Sequence, residues 1–282
     1  MKKVIINADD FGLCRGVNEG IILCHQKGIL TSATLMANAP GFDQAVALAR
    51  QNPKLGVGIH LNIVRGQPVS PTEKVRSLLT AEGFFQGDVY HFLRKLMFGK
   101  INRQEVEREF RAQIEKVLAS KLPVTHFDSE KHLHTIPPVF KIVLKLGKEY
   151  GIRKVRYINE YCFSPRIAQT VKSFAISLSC FFMKKRIKDN GIMTPDQFYG
   201  MCQSGRLSAS ELKKILSNLE EGVSEIMVHP GYMTEELIIL ERVFGSYYIN
   251  NRREEELRAL MEPELRQIIQ DKKIEPINFS EL

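Results

Sequence analysis

Cysteine is scarce and unpaired in this chain. The five residues Cys14, Cys24, Cys162, Cys180 and Cys202 are odd in number, scattered, and nowhere form a CxxC spacing. That pattern argues against a disulfide framework and a structural zinc ribbon, and it reads as free thiols in a reducing compartment. Cys14 stands next to a polar motif but reads as a bystander thiol. Long apolar runs are missing as well. The stretch Ser173–Met183 has 11 residues, where a membrane-spanning helix needs about 20. Lys172 bounds it on one side and Lys184-Lys185-Arg186 on the other. It therefore reads as a helix that packs on the core, with peripheral membrane contact through 173–183 as the alternative.

No export signal is expected from the N-terminal residues. Their apolar run is only Val4-Ile5-Ile6, broken at once by Asn7 and Asp9-Asp10, which reads as a strand and not as a signal-peptide core. The expected location is the cytoplasm, or the inner face of the membrane if the 173–183 stretch touches lipid. Internal repeats, low-complexity tracts and Pro/Gly/Ser linkers are also lacking, so residues 1–282 read as one domain. The formal net charge is +8. The basic residues are dispersed, and no RNP, zinc-finger or helix-turn-helix signature accompanies them, which argues against nucleic acid as a partner.

What the chain does have is an alternation of strand and helix patterns. Short β-branched runs that end in polar residues mark strands at Lys3–Asn7, Gly56–Ile63, Val124–Ser129, Lys154–Ile158 and Glu225–His229, with a weaker one at Ser32–Met36. Helical periodicity covers Gly16–Lys27, Phe42–Gln51, Gln104–Ser120, Pro138–Tyr150, Ser208–Leu219 and Arg253–Asp271. Ser208 with Glu211 three residues on forms a capping-box pattern, and Gly28, Gly151 and Gly222 stand where C-caps belong. The stretches Ile63–Gly87 and Tyr157–Gly205 read as long loops or insertions. Strand alternating with helix implies an α/β fold with a mainly parallel sheet. Polar strand exits favour a single distorted β/α barrel, TIM-like, whose site lies at the C-terminal ends of the strands.

Four of those exits carry chemistry. The first ends Asn7-Ala8-Asp9-Asp10-Phe11-Gly12; two adjacent carboxylates repel unless a cation or a proton relieves them. Neighbours on a strand point to opposite sides, so the two are expected to differ in role. In Gly56-Val57-Gly58-Ile59-His60-Leu61-Asn62, period two puts Gly58, His60 and Asn62 on one face. A glycine and an asparagine beside the histidine fit a place that something else approaches closely. In His126-Phe-Asp128-Ser-Glu130-Lys-His132-Leu-His134 every even position is ionisable, and an extended backbone would align all five. Metal ligation with supporting carboxylates explains such a row, since a carboxylate orients a ligand imidazole by accepting its second N–H. The fourth exit, Glu225-Ile-Met-Val-His229-Pro230-Gly231-Tyr232, holds a histidine at a turn, suited to a general acid.

Taken in order, these motifs resemble the YdjC/ChbG carbohydrate deacetylase family. The resemblance rests on Asn-Ala-Asp-Asp-Phe-Gly-Leu with Val17-Asn18-Glu19-Gly20-Ile21, Thr31-Ser32, Gly58–Asn62, Thr125–Ser129 and His229–Tyr232, and it spans nearly the whole chain. The segment Phe198–Leu207 is similar to the hopanoid-biosynthesis-associated HpnK branch. The resemblance implies a distorted barrel akin to polysaccharide deacetylases that removes acetyl groups from N-acetylated amino sugars, either chito-oligosaccharides or sugar-lipids such as a glycosylated hopanoid. It implies Asp10 and His60 as metal ligands, Asp9 as general base and His229 as the acid for the leaving amine. The family's third ligand is a histidine where this chain has Glu130. Glu130 is taken as that ligand, and Asp128, His132 and His134 are supporting groups or alternative ligands. A carboxylate in that place favours harder ions, so Mg²⁺ is the expected metal, with Zn²⁺ or Mn²⁺ as alternatives. Asn62, Arg156 and Tyr232 are expected at the substrate, and a homodimer is the expected assembly. Competing readings are a metal-dependent phosphoesterase or other amidohydrolase, with Arg156 and Arg252–Arg253 as a phosphate clamp, and a non-catalytic sugar- or lipid-binding relative.

Overall fold

Strand β1 (Lys2–Phe11) occupies the middle of the sheet, and its alternation decides what lies on either side. Val4, Ile6 and Ala8 face one way and enter the main hydrophobic core; Asn7 and Asp9 face the other. The computed structural model describes residues 1–160, 167–244 and 252–282. Within it β2 (Ser32–Leu35), β3 (Gly56–Leu61), β4 (Val124–Ser129), β5 (Gln197–Tyr199) and β6 (Gly222–Val228) join β1 in the order β4-β3-β2-β1-β6-β5. The short β7 (Glu275–Pro276) pairs with the start of β1. Every pairing in the sheet is parallel.

Beyond β4 the sheet curls on through two isolated parallel bridges, Phe127 to Val155 and Lys154 to Met193. The chain from Met193 leads directly into β5 beside β6, so the curl approaches a ring. This is the distorted barrel that the strand–helix alternation implies. The expected strand Lys154–Ile158 is thus reduced to single bridges.

Helices cover the outer face. They are α1 (Arg15–Lys27), α2 (Phe42–Gln51), α3 (Val89–Met97), α4 (Arg103–Ala119), α5 (Pro137–Tyr150), α6 (Ile167–Asp189), α7 (Ala209–Ser217), α8 (Glu235–Phe244), α9 (Arg253–Leu260) and α10 (Pro263–Asp271). The Ser208/Glu211 capping box forms as its spacing implies, and Gly151 closes α5 at φ +74°. Gly222 does not cap a helix. Asn218 ends α7, and Gly222 opens β6 at φ +104°, with Asp196 so close that a Cβ would lie 2.5 Å from its carboxylate. The expected helix Arg253–Asp271 is two helices, because Pro263 starts a new first turn.

Residues 173–183 belong to α6. Ser177, Cys180 and Met183 turn inward, whereas Phe174, Leu178, Phe181 and Phe182 are exposed. The core reading therefore holds for only one face of that helix. No helix among the described residues is long and apolar enough to cross a membrane. Cys14, Cys24 and Cys180 are buried free thiols, but Cys202 is disulfide-bonded, which corrects the expectation of free thiols throughout. Sequence spacing alone does not show which thiols the fold brings together. Cys162 lies outside the described residues.

The barrel interior is polar where the outside is apolar. Its N-terminal end is plugged by Ile5, Ile277 and Phe279. The Phe279 ring stacks on His126 at 3.5 Å between centroids. Above that plug the interior side chains rise toward the C-terminal ends of the strands, where the candidate site lies.

Candidate active site

At the exit of β1 the ladder to β2 slips between Ala8 and Phe11, and Asp10 takes a left-handed φ of +70°. Asn18 fixes the turn by accepting from the Gly12 N–H and donating to the Gly41 carbonyl. The slip breaks the alternation, so Asp9 and Asp10 line the same small cavity instead of opposite faces of the strand. They still have different partners. Arg156 grips both oxygens of Asp9 at 2.9 and 2.7 Å, while Arg253 of α9 donates to Asp10.

His60 rises from β3 into this cavity with both ring nitrogens committed in direction. Its Nδ1–H donates to Asp128 Oδ1 at 2.8 Å, since a carboxylate can only accept. Asp128 is held in turn by Thr34 Oγ1 at 3.0 Å and by Arg156 at 2.8 Å. The opposite nitrogen, Nε2, faces Glu130 at 3.4 Å and Asp10 at 3.9 Å. Burial works against a charged imidazole here, but Asp128 and the carboxylates around it push the His60 pKa well above its ordinary value.

The row after β4 does not stay extended. Lys131 and His132 adopt φ of +51° and +58°, and the backbone winds into a 3₁₀ turn. Glu130 lines the cavity beside Arg65, whose Nε is 3.0 Å away, and Lys131. His132 also lines it, edge-on to Phe198. His134 turns away. Its Nε2–H donates to the Arg156 carbonyl at 3.2 Å, and its Nδ1 accepts from Ser129 Oγ at 2.7 Å. With both nitrogens used, it offers no lone pair to a metal, which removes it as an alternative ligand. Burial, then the charge of Arg156, push its pKa down to about 3, so the ring is neutral. His126 lies a layer lower against Phe279 and Gly58.

Two of the three expected substrate groups are elsewhere occupied. Arg156 is fully buried, its guanidinium shared among Asp9, Asp128 and Glu225. Asn62 is buried too and organises the loop after β3, donating to Asn38 and to the Arg65 carbonyl while accepting from Val64 and Arg65 N–H. Tyr232 is partly exposed at the turn after β6.

His229 stands at the exit of β6 with Nε2 4.0 Å from Asp9 and Nδ1 4.0 Å from Glu256. Glu256 also accepts the backbone N–H groups of His229 and Leu207. Asp9 is a settled anion. Burial raises its pKa, but the charge and hydrogen bonds of Arg156 outweigh that and hold it well below the usual carboxylate range. Arg253 and Glu256, on the buried side of α9, touch Asp10 and His229 and are neighbours that the strand-end motifs did not reveal.

Among the described residues two trios of ligand atoms gather within 4.8 Å: Asp10, His60 and Glu130, and Asp9, His60 and Asp128. Both trios carry cations, Arg156 in the second and Arg253, Arg65 and Lys131 in the first, but in the second the His60 Nδ1–H is already given to Asp128. The first joins one imidazole nitrogen and two carboxylates around Nε2, a buried donor set that suits a divalent cation.

A parallel β/α barrel with such a cluster at the C-terminal ends of its strands defines a class of barrel hydrolases. The chain belongs to the family of YdjC-like proteins, whose model matches residues 3–271. It is 38% identical to a carbohydrate deacetylase of Brevibacillus brevis, covering 99% of both chains. It is 32% identical to a carbohydrate deacetylase of Thermoanaerobacter pseudethanolicus, again over 99% of each. A crystal structure from Enterococcus faecalis V583, described as a cellobiose-phosphate cleavage protein, superposes with a TM-score of 0.80 at 28% identity, over 99% of this chain and 98% of that one.

Proposed function

We propose that this chain is a metal-dependent carbohydrate N-deacetylase. It removes the acetyl group from N-acetylated amino sugars, presented as chito-oligosaccharide or as a sugar-lipid such as a glycosylated hopanoid. The observation that carries this reading is the two-sided hold on His60. Asp128 fixes Nδ1, so Nε2 faces Asp10 and Glu130 beside Asp9 and His229. The identity of the relatives as carbohydrate deacetylases supports the choice of an amide substrate.

Asp10, His60 and Glu130 would hold the ion, with Mg²⁺ favoured by two oxygen donors and one nitrogen. Bound there, a divalent cation supplies Lewis acidity toward an acyl oxygen and an attacking water. The chain's own groups handle the protons. Asp9 receives the proton of the attacking water, and Arg156 keeps that carboxylate ionised and aimed. His229, on the far side of Asp9, stabilises the tetrahedral intermediate of the sugar amide and protonates the departing amine. Glu256 anchors His229 through its backbone N–H.

A phosphoesterase needs a cationic clamp, and the arginines that could form one are engaged. Arg156 is buried among carboxylates, Arg253 is on Asp10, and Arg252 pairs with Glu255. The reading is tested by acetate release from N-acetylglucosamine oligomers and from an N-acetylglucosaminyl lipid. Turnover of at least one supports it. Phosphate release from phosphorylated sugars with no acetate release from either would overturn it.

A further inference from the structure

Helix α6 is apolar on two sides, and among the described residues only one of them is buried against the protein. Ser177, Cys180, Met183 and Ile187 form its buried side. On the other side Phe174, Leu178, Phe181 and Phe182 recur at helical spacing, with exposures of 60, 43, 62 and 66%. A row of exposed aromatic and aliphatic side chains along one face of a helix marks a place of interaction. Immediately beyond it Lys184, Lys185, Arg186 and Lys188 are exposed, and among the described residues none of them forms an ion pair. Apolar side chains followed by a cluster of unpaired cations complement an anionic lipid surface: the rings enter the headgroup boundary and the cations meet the phosphates.

Ser179 of α6 donates to the Thr135 carbonyl at 2.6 Å, tying the helix to the turn that carries Glu130 and His132. A second exposed set, Tyr90, Met97 and Phe98 with Arg94 and Lys100, belongs to the connection that leaves the C-terminal end of β3. The cation cluster lies farther along α6, toward the end of the barrel where the chain after the helix meets Arg153 and Met193 bridges Lys154.

We propose that α6 is an interfacial helix that seats this protein reversibly on an anionic bilayer. The inference stands independently of the deacetylase reading, since its readout is binding and not turnover. The test is co-sedimentation of the full chain with vesicles of phosphatidylcholine alone and with about one-third phosphatidylglycerol, at low and high salt. Wild type should pellet with the anionic vesicles only, and less as salt rises. Lys184→Glu/Lys185→Glu/Lys188→Glu should weaken binding at least about tenfold, and Phe181→Ser/Phe182→Ser should weaken it even at low salt. All these positions are exposed, and unchanged circular dichroism and melting temperature would show that both variants fold. No pelleting of wild type with anionic vesicles would overturn the proposal, as would equal binding by the folded variants. A dimer in light scattering that the phenylalanine variant dissociates would also overturn it, assigning the face to a second copy.

Discussion

The Nδ1–H of His60 donates to Oδ1 of Asp128 across 2.8 Å, two strands' exits joined by one buried hydrogen bond. It fixes which imidazole nitrogen is left for Asp10 and Glu130, and so it fixes where a cation can sit. Replacing Asp128 by Asn keeps the volume but offers an amide that no longer orients the ring as an anion does. Asp128→Asn should lower metal affinity by about ten- to a hundredfold, as measured by competition with a chelator of known affinity. Unchanged affinity would show that Asp128 is dispensable to the ligand geometry.

Asp9 and His229 are assigned to protons and not to metal. Asp9→Asn and His229→Gln should each reduce kcat by about 10²–10⁴ while the bound metal stays at the wild-type level. Loss of metal in Asp9→Asn would move that carboxylate into the ligand set.

Arg156 offsets three buried carboxylates at once. Arg156→Met leaves them without that partner, and the expected cost is about 3–5 kcal/mol in urea unfolding. The exposed pair Arg258–Glu254 is the comparison: Arg258→Met should change stability by no more than about 0.5 kcal/mol. Equal effects would deny Arg156 its organising role.

His134 sets an acid limit. In the unfolded chain it takes a proton near its ordinary value of 6.5, but in the fold burial and Arg156 delay that to about 3. Between those values the unfolded state binds more protons. The stability due to the neutral ring is therefore complete above about pH 6.5 and is lost as pH falls toward 3. His134→Gln should remove about 2–3 kcal/mol of the loss between pH 7.5 and 4.5, read from urea unfolding at the two values. A parallel loss in both proteins would contradict it.

Much of this site was legible because it sits where strands end. The carboxylate pair at the end of β1, His60 of β3, Asp128 and His229 all stand out as polar residues at an apolar strand's exit. Gly58 invited a close approach, and the group that approaches is His126, whose ring a Cβ there would meet at 2.4 Å. The rest depended on backbone that non-glycine residues seldom adopt. Asp10, Lys131 and His132 all have positive φ, and that is why Asp9 and Asp10 share a cavity and why the row to His134 does not align. Arg253 stood out only as part of a phosphate clamp with Arg252, and Glu256 left no local trace. They sit in an Arg-Arg-Glu-Glu-Glu run whose composition suits solvent, and only the fold shows that Arg253, 243 residues from Asp10 along the chain, turns inward to meet it. Arg156 looked available for substrate because its three acidic partners come from three different strands.

The central claim is a divalent metal held by Asp10, His60 and Glu130, and elemental analysis of the purified protein tests it when paired with acetate release. Wild type and His132→Gln should carry a stoichiometric divalent ion, while Asp10→Ala, His60→Ala and Glu130→Gln should lose both the ion and acetate release. Full metal content and activity in Asp10→Ala and His60→Ala would contradict the site outright. Retention in Glu130→Gln with loss in His132→Gln would contradict the third ligand.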